Sequence, residues 1–168
     1  VWAQGVCAGL GSFMHFDRRL DTKLAGYMMS IPAIKGVEMG LGFDYAGEKG
    51  SLSHDSIYYS KEKKFYHKTN NSGGIEGGIS TGEFIVLRMA MKPIATLRNP
   101  LDSVNLNTKR KEKAIVERSD TCAVSACGVI AESMCAIALT EVFLDKFGRD
   151  SLGEIRKNYN SYIESCLR

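Results

Sequence analysis

From Leu20 the apolar residues fall at Leu20, Leu24, Tyr27, Met28 and Ile31, the i, i+4, i+7, i+8 spacing of a single helical face. A helix is predicted there, ended by Pro32, whose ring and missing N–H cannot continue it. Residues 33–39 then read as a short strand with Ile34 and Val37 apolar and Gly36 permitting close backbone approach. Residues 40–69 hold Gly42, Gly47, Gly50, several serines and the charge run 61–64 with little periodicity, which predicts a long, partly mobile excursion. Residues 69–82 contain Gly73, Gly74, Gly77, Gly78 and Gly82, a density that predicts tight turns and a segment costly to order.

Strict alternation returns at residues 83–91. Ile85, Leu87, Met89 and Met91 share one face and Phe84, Val86, Arg88 and Ala90 the other, so a strand with at least one buried face is predicted, stopped by Pro93. Residues 104–106 and 114–116 can pair around a tip rich in Lys109, Arg110, Lys111 and Lys113, read as a solvated hairpin end or as an anion patch. Residues 122–147 are apolar on most faces, the pattern of a helix covered by other layers, with Gly148 as a left-handed cap. Ser151 and Glu154 form a Ser-x-x-Glu capping box opening a last helix, with Leu152, Ile155, Tyr159, Tyr162 and Cys166 on one stripe. Strands and helices do not alternate strictly, so the fold class expected is α+β.

At 168 residues, with 44% hydrophobic and 24% charged residues, the chain can bury a core as one globular unit. A net charge of +3 is too small an excess to imply nucleic acid, though small anions remain suitable ligands. Five cysteines without a Cys-x-x-Cys pair point to reduced thiols in a cytoplasmic protein, not to a zinc site. The 122–147 stretch carries Glu132, Glu141, Asp145 and Lys146, which makes it a poor membrane span. The chain opens on Val1 with no secretory signal pattern, which reads as a cut inside a longer chain.

Candidate chemistry sits at three places. Gly73 to Gly78 matches neither a Walker A loop nor a dinucleotide fingerprint; it can let backbone N–H groups approach a phosphate or a flavin edge, or be a plain turn. Lys92 to Thr96 sets a cation at a strand end before a proline turn and a hydroxyl. Arg118 to Cys122 precedes the apolar helix, where Asp120 is either an N-cap or a functional carboxylate. His15, His54 and His67 share no metal-ligand spacing.

Taken together these blocks carry a resemblance. Gly9-Leu10-Gly11-Ser12, Lys23-Leu24-Ala25, Ser30 through Gly40, Asn71 through Ser80, Lys92-Pro93-Ile94 and Arg118 through Val124, with Glu132 after them, resemble in order the motifs of chorismate synthases. The family's Gly-Glu-Ser-His and Ser-Ala/Gly-Arg-x-Thr blocks, which carry its two acid histidines and several substrate arginines, have no counterpart here, so none of the three histidines inherits that role. The resemblance implies the C-terminal portion of one domain without internal boundary, in a β-α-β sandwich of antiparallel sheets on a central helical layer, assembled as a homotetramer. It implies a lyase of aromatic amino acid biosynthesis that converts 5-enolpyruvylshikimate 3-phosphate to chorismate and phosphate with reduced FMN and no net redox change. Either an external flavin reductase or, in bifunctional members, NADPH would supply the reduced cofactor. It also implies that Asp120 accepts the flavin N5 proton, that Arg118 binds substrate and cofactor, and that Pro32, Ala33, Gly77, Lys92, Pro93, Ile94, Ala95 and Thr96 contact FMN. These residues alone are then expected to be inactive. The alternative is a non-catalytic anion- or nucleotide-binding module.

Overall fold

The structure, a computed structural model, describes residues 1–117 and 122–166. Nine strands and four α-helices are described, with two 3-10 turns at Phe16–Arg18 and Gly42–Gly47. The strands are β1 (Trp2–Ala3), β2 (Ile34–Met39), β3 (Ile57–Ser60), β4 (Lys64–His67), β5 (Ile75–Glu76), β6 (Ile79–Ser80), β7 (Ile85–Met91), β8 (Asp102–Val104) and β9 (Lys111–Lys113). The helices are α1 (Leu20–Met29), α2 (Gly50–Ser53), α3 (Val124–Phe147) and α4 (Leu152–Cys166).

The centre is an antiparallel sheet in the order β1-β7-β2. β7 is its middle strand because its alternating Ile85 and Leu87, 0% and 1% exposed, bury one face while its neighbours satisfy both backbone edges. α1 packs against this sheet and against α3, and α4 packs on the C-terminal end of α3 with Tyr159 against Phe143 and Phe147. Leu20, Leu24 and Met28 of α1 are fully buried, and α3 answers with Cys127, Ala131, Cys135, Ala138 and Val142. Cysteine and alanine on that stripe are small, so the two helix backbones can approach closely. The class is α+β, as expected.

The local signals for helices and the central strand hold, with shifts at the ends. α1 stops at Met29, so Ile31 belongs to the following turn, yet Ile31 is still buried. The Ser151 hydroxyl accepts the Glu154 N–H at 3.2 Å, the serine half of the expected capping box. Gly148 has a positive φ of 106° but an extended ψ of 166°, so it ends α3 without the compact left-handed cap. Gly36 does not serve a close approach: a Cβ there would stand 3.5 Å from the Ala90 Cβ, ordinary contact, and the irregularity is instead a register shift between Ile34 and Gly36.

Two loop regions differ more. The 40–69 excursion contains the β3–β4 hairpin, held by cross-strand pairs Tyr58–Tyr66 and Tyr59–Phe65 with ring centroids 5.9 and 5.2 Å apart. The charge run is its tip, and the aromatic pairs Tyr58-Tyr59 and Phe65-Tyr66 flank it without the alternation that marks a strand. The second hairpin pairs 102–104 with 111–113, earlier in sequence than expected on both arms. Asn105 decides this: its Oδ1 accepts the N–H of Asn107 and Thr108 and turns the chain there. Lys111 and Lys113 therefore lie in β9 and pair with Asp102, not at the tip.

α3 is 24 residues long, with a mean hydropathy of 1.7 over its most apolar window, enough by length and composition to cross a membrane. Its buried stripe packs on α1 and α4 within the core. The opposite side leaves Val129, Ile130 and Ile137 exposed at 65%, 48% and 52%, so the expectation of a helix covered on several sides is met on one side only by this chain.

Candidate functional site

The glycine segment is built from its backbone upward. Gly73 and Gly74 have φ of 66° and 81°, and Gly73 stacks directly on Gly40, where an added Cβ would sit 2.3 Å from the Gly40 nitrogen. Only glycine permits that crossing of two chains. The Val86 N–H donates to the Gly73 carbonyl at 3.1 Å and the Leu41 N–H to Asn71 at 2.8 Å, tying the segment to β7 and to the end of β2. β5 and β6 then form a hairpin whose tip is Gly77-Gly78, both at positive φ, the type I′ pattern.

Two side chains that local patterns did not single out pin this segment. Asp55 accepts the N–H of Asn71 and of Ser72, each at 2.8 Å. Burial acts to raise its pKa, but the Ser72 N–H, the Thr69 hydroxyl and the Asn71 N–H outweigh it, and the carboxyl sits below its ordinary value. Ser80, 2% exposed, accepts the Leu10 N–H at 2.8 Å and donates to the Cys7 carbonyl at 2.6 Å. Hydrogen bonds to Asp55 and Ser80 thus offset part of the cost of ordering the five glycines of this cradle.

The predicted ligand residues fall at opposite ends of α1. The Leu20 N–H donates to the Gly78 carbonyl at 2.8 Å, which sets the Gly77 tip beside the N-terminus of α1. A Cβ at Gly77 would meet nothing within 4 Å, so the tip faces open space. At the other end, Pro32 and Ala33 turn the chain into β2, and the Lys92 N–H donates to the Ala33 carbonyl at 2.7 Å. The ten residues of α1 span about 15 Å between these ends. Lys92 is exposed and in no ion pair among the described residues; Pro93 and Ala95 are exposed, Ile94 and Thr96 half-buried. Arg118 and Asp120 lie outside the described residues. α3 begins at Val124 with Ala123 in the N-cap position.

A further polar knot joins the helices beneath. Glu141 of α3 accepts from Lys23 Nζ at 2.5 Å and from the Tyr27 hydroxyl at 2.8 Å, both on α1. The Lys23 ammonium, then the tyrosine, hold its carboxyl below the ordinary range. Lys23 belongs to the quoted Lys-Leu-Ala block, but nothing local pointed to a partner on α3. Of the histidines, His67 lies 3.7 Å from Glu83 and no group able to hold a metal occurs among the described residues.

The described residues form an α+β scaffold with an open glycine tip at one end of α1 and an exposed cationic strand exit at the other. A sequence model of chorismate synthase matches residues 1–144. The chorismate synthase of Geobacter sulfurreducens is 55% identical, over 98% of this chain and 44% of that protein. That of Thermoanaerobacter pseudethanolicus is 54% identical over 95% of this chain and 46% of that protein. A crystal structure of chorismate synthase superposes with a TM-score of 0.78 at 39% identity, covering 98% of this chain and 40% of the other. The chain belongs to the chorismate synthase family, and it spans less than half the length of these relatives.

Proposed function

We propose that this chain is the C-terminal portion of the single domain of a chorismate synthase. The reaction is a 1,4-anti elimination on 5-enolpyruvylshikimate 3-phosphate. The C–O bond to phosphate and a C–H bond at C6 break, a new double bond forms, and chorismate and phosphate leave. The observation that carries the reading is the Lys92 N–H to Ala33 carbonyl bond at 2.7 Å, which joins two of the family's motifs from distant parts of the chain at one sheet end.

The residues present fit FMN. An open Gly77 tip admits a flat or charged group to the backbone, and the exposed Lys92 offers a cation to a phosphate or ring oxygen. Pro32, Ala33 and Lys92 to Thr96 would hold the cofactor, with Arg118 presenting a forked donor to phosphate or flavin oxygens. When bound, reduced flavin supplies reversible electron donation that helps phosphate leave without net oxidation. Asp120 would be the carboxylate that takes up a proton when the reduced flavin is bound, a role an amide in its place could not fill. The protein works in the cytoplasm as a homotetramer, and its cofactor is reduced by an external flavin reductase, or by NADPH if the enzyme is bifunctional.

Asp120→Asn in the complete enzyme tests the assignment. It keeps the shape but cannot take up a proton. Folding and FMN affinity should be retained while turnover at saturating substrate and reduced flavin falls about 10²-fold or more. Turnover within a few-fold of the parent removes Asp120 from the chemistry. The 168 residues by themselves are expected to give no turnover.

A further inference from the structure

The connection from α1 into β2 holds an unusual residue. The Ile34 N–H donates to the Ile31 carbonyl at 3.2 Å, closing a turn with Pro32 second and Ala33 third, and Ala33 has a φ of 70°. This is the type II pattern, whose third position is ordinarily glycine or asparagine because a Cβ there crowds the backbone. Such a conformation persists only where its surroundings over-determine it.

Three features do so. Ile31 and Ile34, on either side of the turn, are buried at 5% and 3% exposure. The Ala33 carbonyl, aimed by that φ, accepts the Lys92 N–H one residue beyond the end of β7. The β2–β7 register slips immediately afterwards, Ile34 pairing with Met91 but Gly36 with Ala90. The strained residue and the bulge thus bracket the point where β7 leaves the sheet.

We propose that Ala33 is a positioning residue: its left-handed backbone latches the Lys92 amide and so sets the direction in which Lys92 and residues 93–96 leave the sheet to meet the flavin. The ligand half of this rests on the function proposed above; the latch itself does not.

The test compares Ala33→Val, which disfavours positive φ, with Ala33→Gly and Ala33→Asn, which accept it. Two quantities are read: hydrogen exchange at the Lys92 amide and the dissociation constant for FMN by flavin fluorescence, all in the protein in its native context. Ala33→Val should speed Lys92 exchange about 10-fold and weaken FMN binding about 10-fold or more, with the Leu87 amide still protected. Glycine and asparagine should leave Lys92 exchange within about 3-fold. Unchanged Lys92 exchange in Ala33→Val overturns the latch. Faster exchange with unchanged FMN affinity overturns the positioning role. A parent protein that binds no FMN overturns the proposed function and the ligand half with it, while the exchange rates decide the latch independently. Should Ala33→Val fail to fold, loss of Lys92 protection in Ala33→Gly or Ala33→Asn overturns the proposal and retention in both supports it.

Discussion

The chain divides into a framework and an arm that obey the same local rules and end in opposite environments. In the framework, the central sheet with α1, α3 and α4, Ile85 and Leu87 are 0% and 1% exposed. In the arm, all residues of β8 and β9 are exposed, and Leu106 and Ile115 beside them are both 80% exposed. Both regions are antiparallel pairs. Pairing is therefore decided locally, whereas burial needs a second layer, and this chain supplies one only over the central sheet. The proposed site straddles the division: Pro32, Ala33 and Gly77 stand on the framework, and Lys92 to Thr96 begin the arm.

The largest effect on stability should come from the glycine crossing. Gly73→Ala forces a Cβ against Gly40 backbone at a φ of 66°, so a loss of about 2–5 kcal/mol is expected in chemical denaturation. Gly77→Ala has a similar φ of 58° but open space, so it should cost only about 1 kcal/mol while weakening FMN binding about 10-fold. Equal destabilisation by the two would show that the cradle is not packed as described. Intact FMN affinity in Gly77→Ala would remove that tip from the site.

Asp55→Ala leaves the Asn71 and Ser72 N–H groups without their acceptor, and about 1–2 kcal/mol should be lost, with faster exchange across residues 70–78. An unchanged exchange pattern there would mean the carboxylate does not pin the cradle. Smaller still is the effect of pH. Asp55 and Glu141 both have folded pKa values below their ordinary ones, so their contribution is complete above the unfolded values near about 4 and is lost as pH falls through the depressed folded values. Acid titration of the melting temperature should show stability falling below about pH 4, less steeply in Asp55→Ala. The smallest effect is expected in the arm: Asp102→Ala removes both exposed pairs with Lys111 and Lys113, and the melting temperature should not move. A clear drop would mean the hairpin is more than a solvated pair of strands.

Much of this was legible in the residues. The stripe Leu20, Leu24, Met28 gave α1, strict alternation gave β7, and the serine three before Glu154 gave the start of α4. The β3–β4 hairpin was missed because four aromatic residues sit around a run of charged ones, and cross-strand pairing is invisible until the strands meet. The order of motifs pointed to the family, which the relatives then established.

Sequence alone determined what depends on neighbours along the chain: where the long helices run and which strand is buried. The tertiary structure alone decided which distant residues meet. Antiparallel pairing of β2 with β7 brings Ala33 to Lys92, and packing of α1 on α3 brings Lys23 and Tyr27 to Glu141. The same α1 holds Gly77 at its far end, apart from Ala33. Such contacts are fixed by register and layer order, which arise from the burial of many side chains together, so no local pattern encodes them.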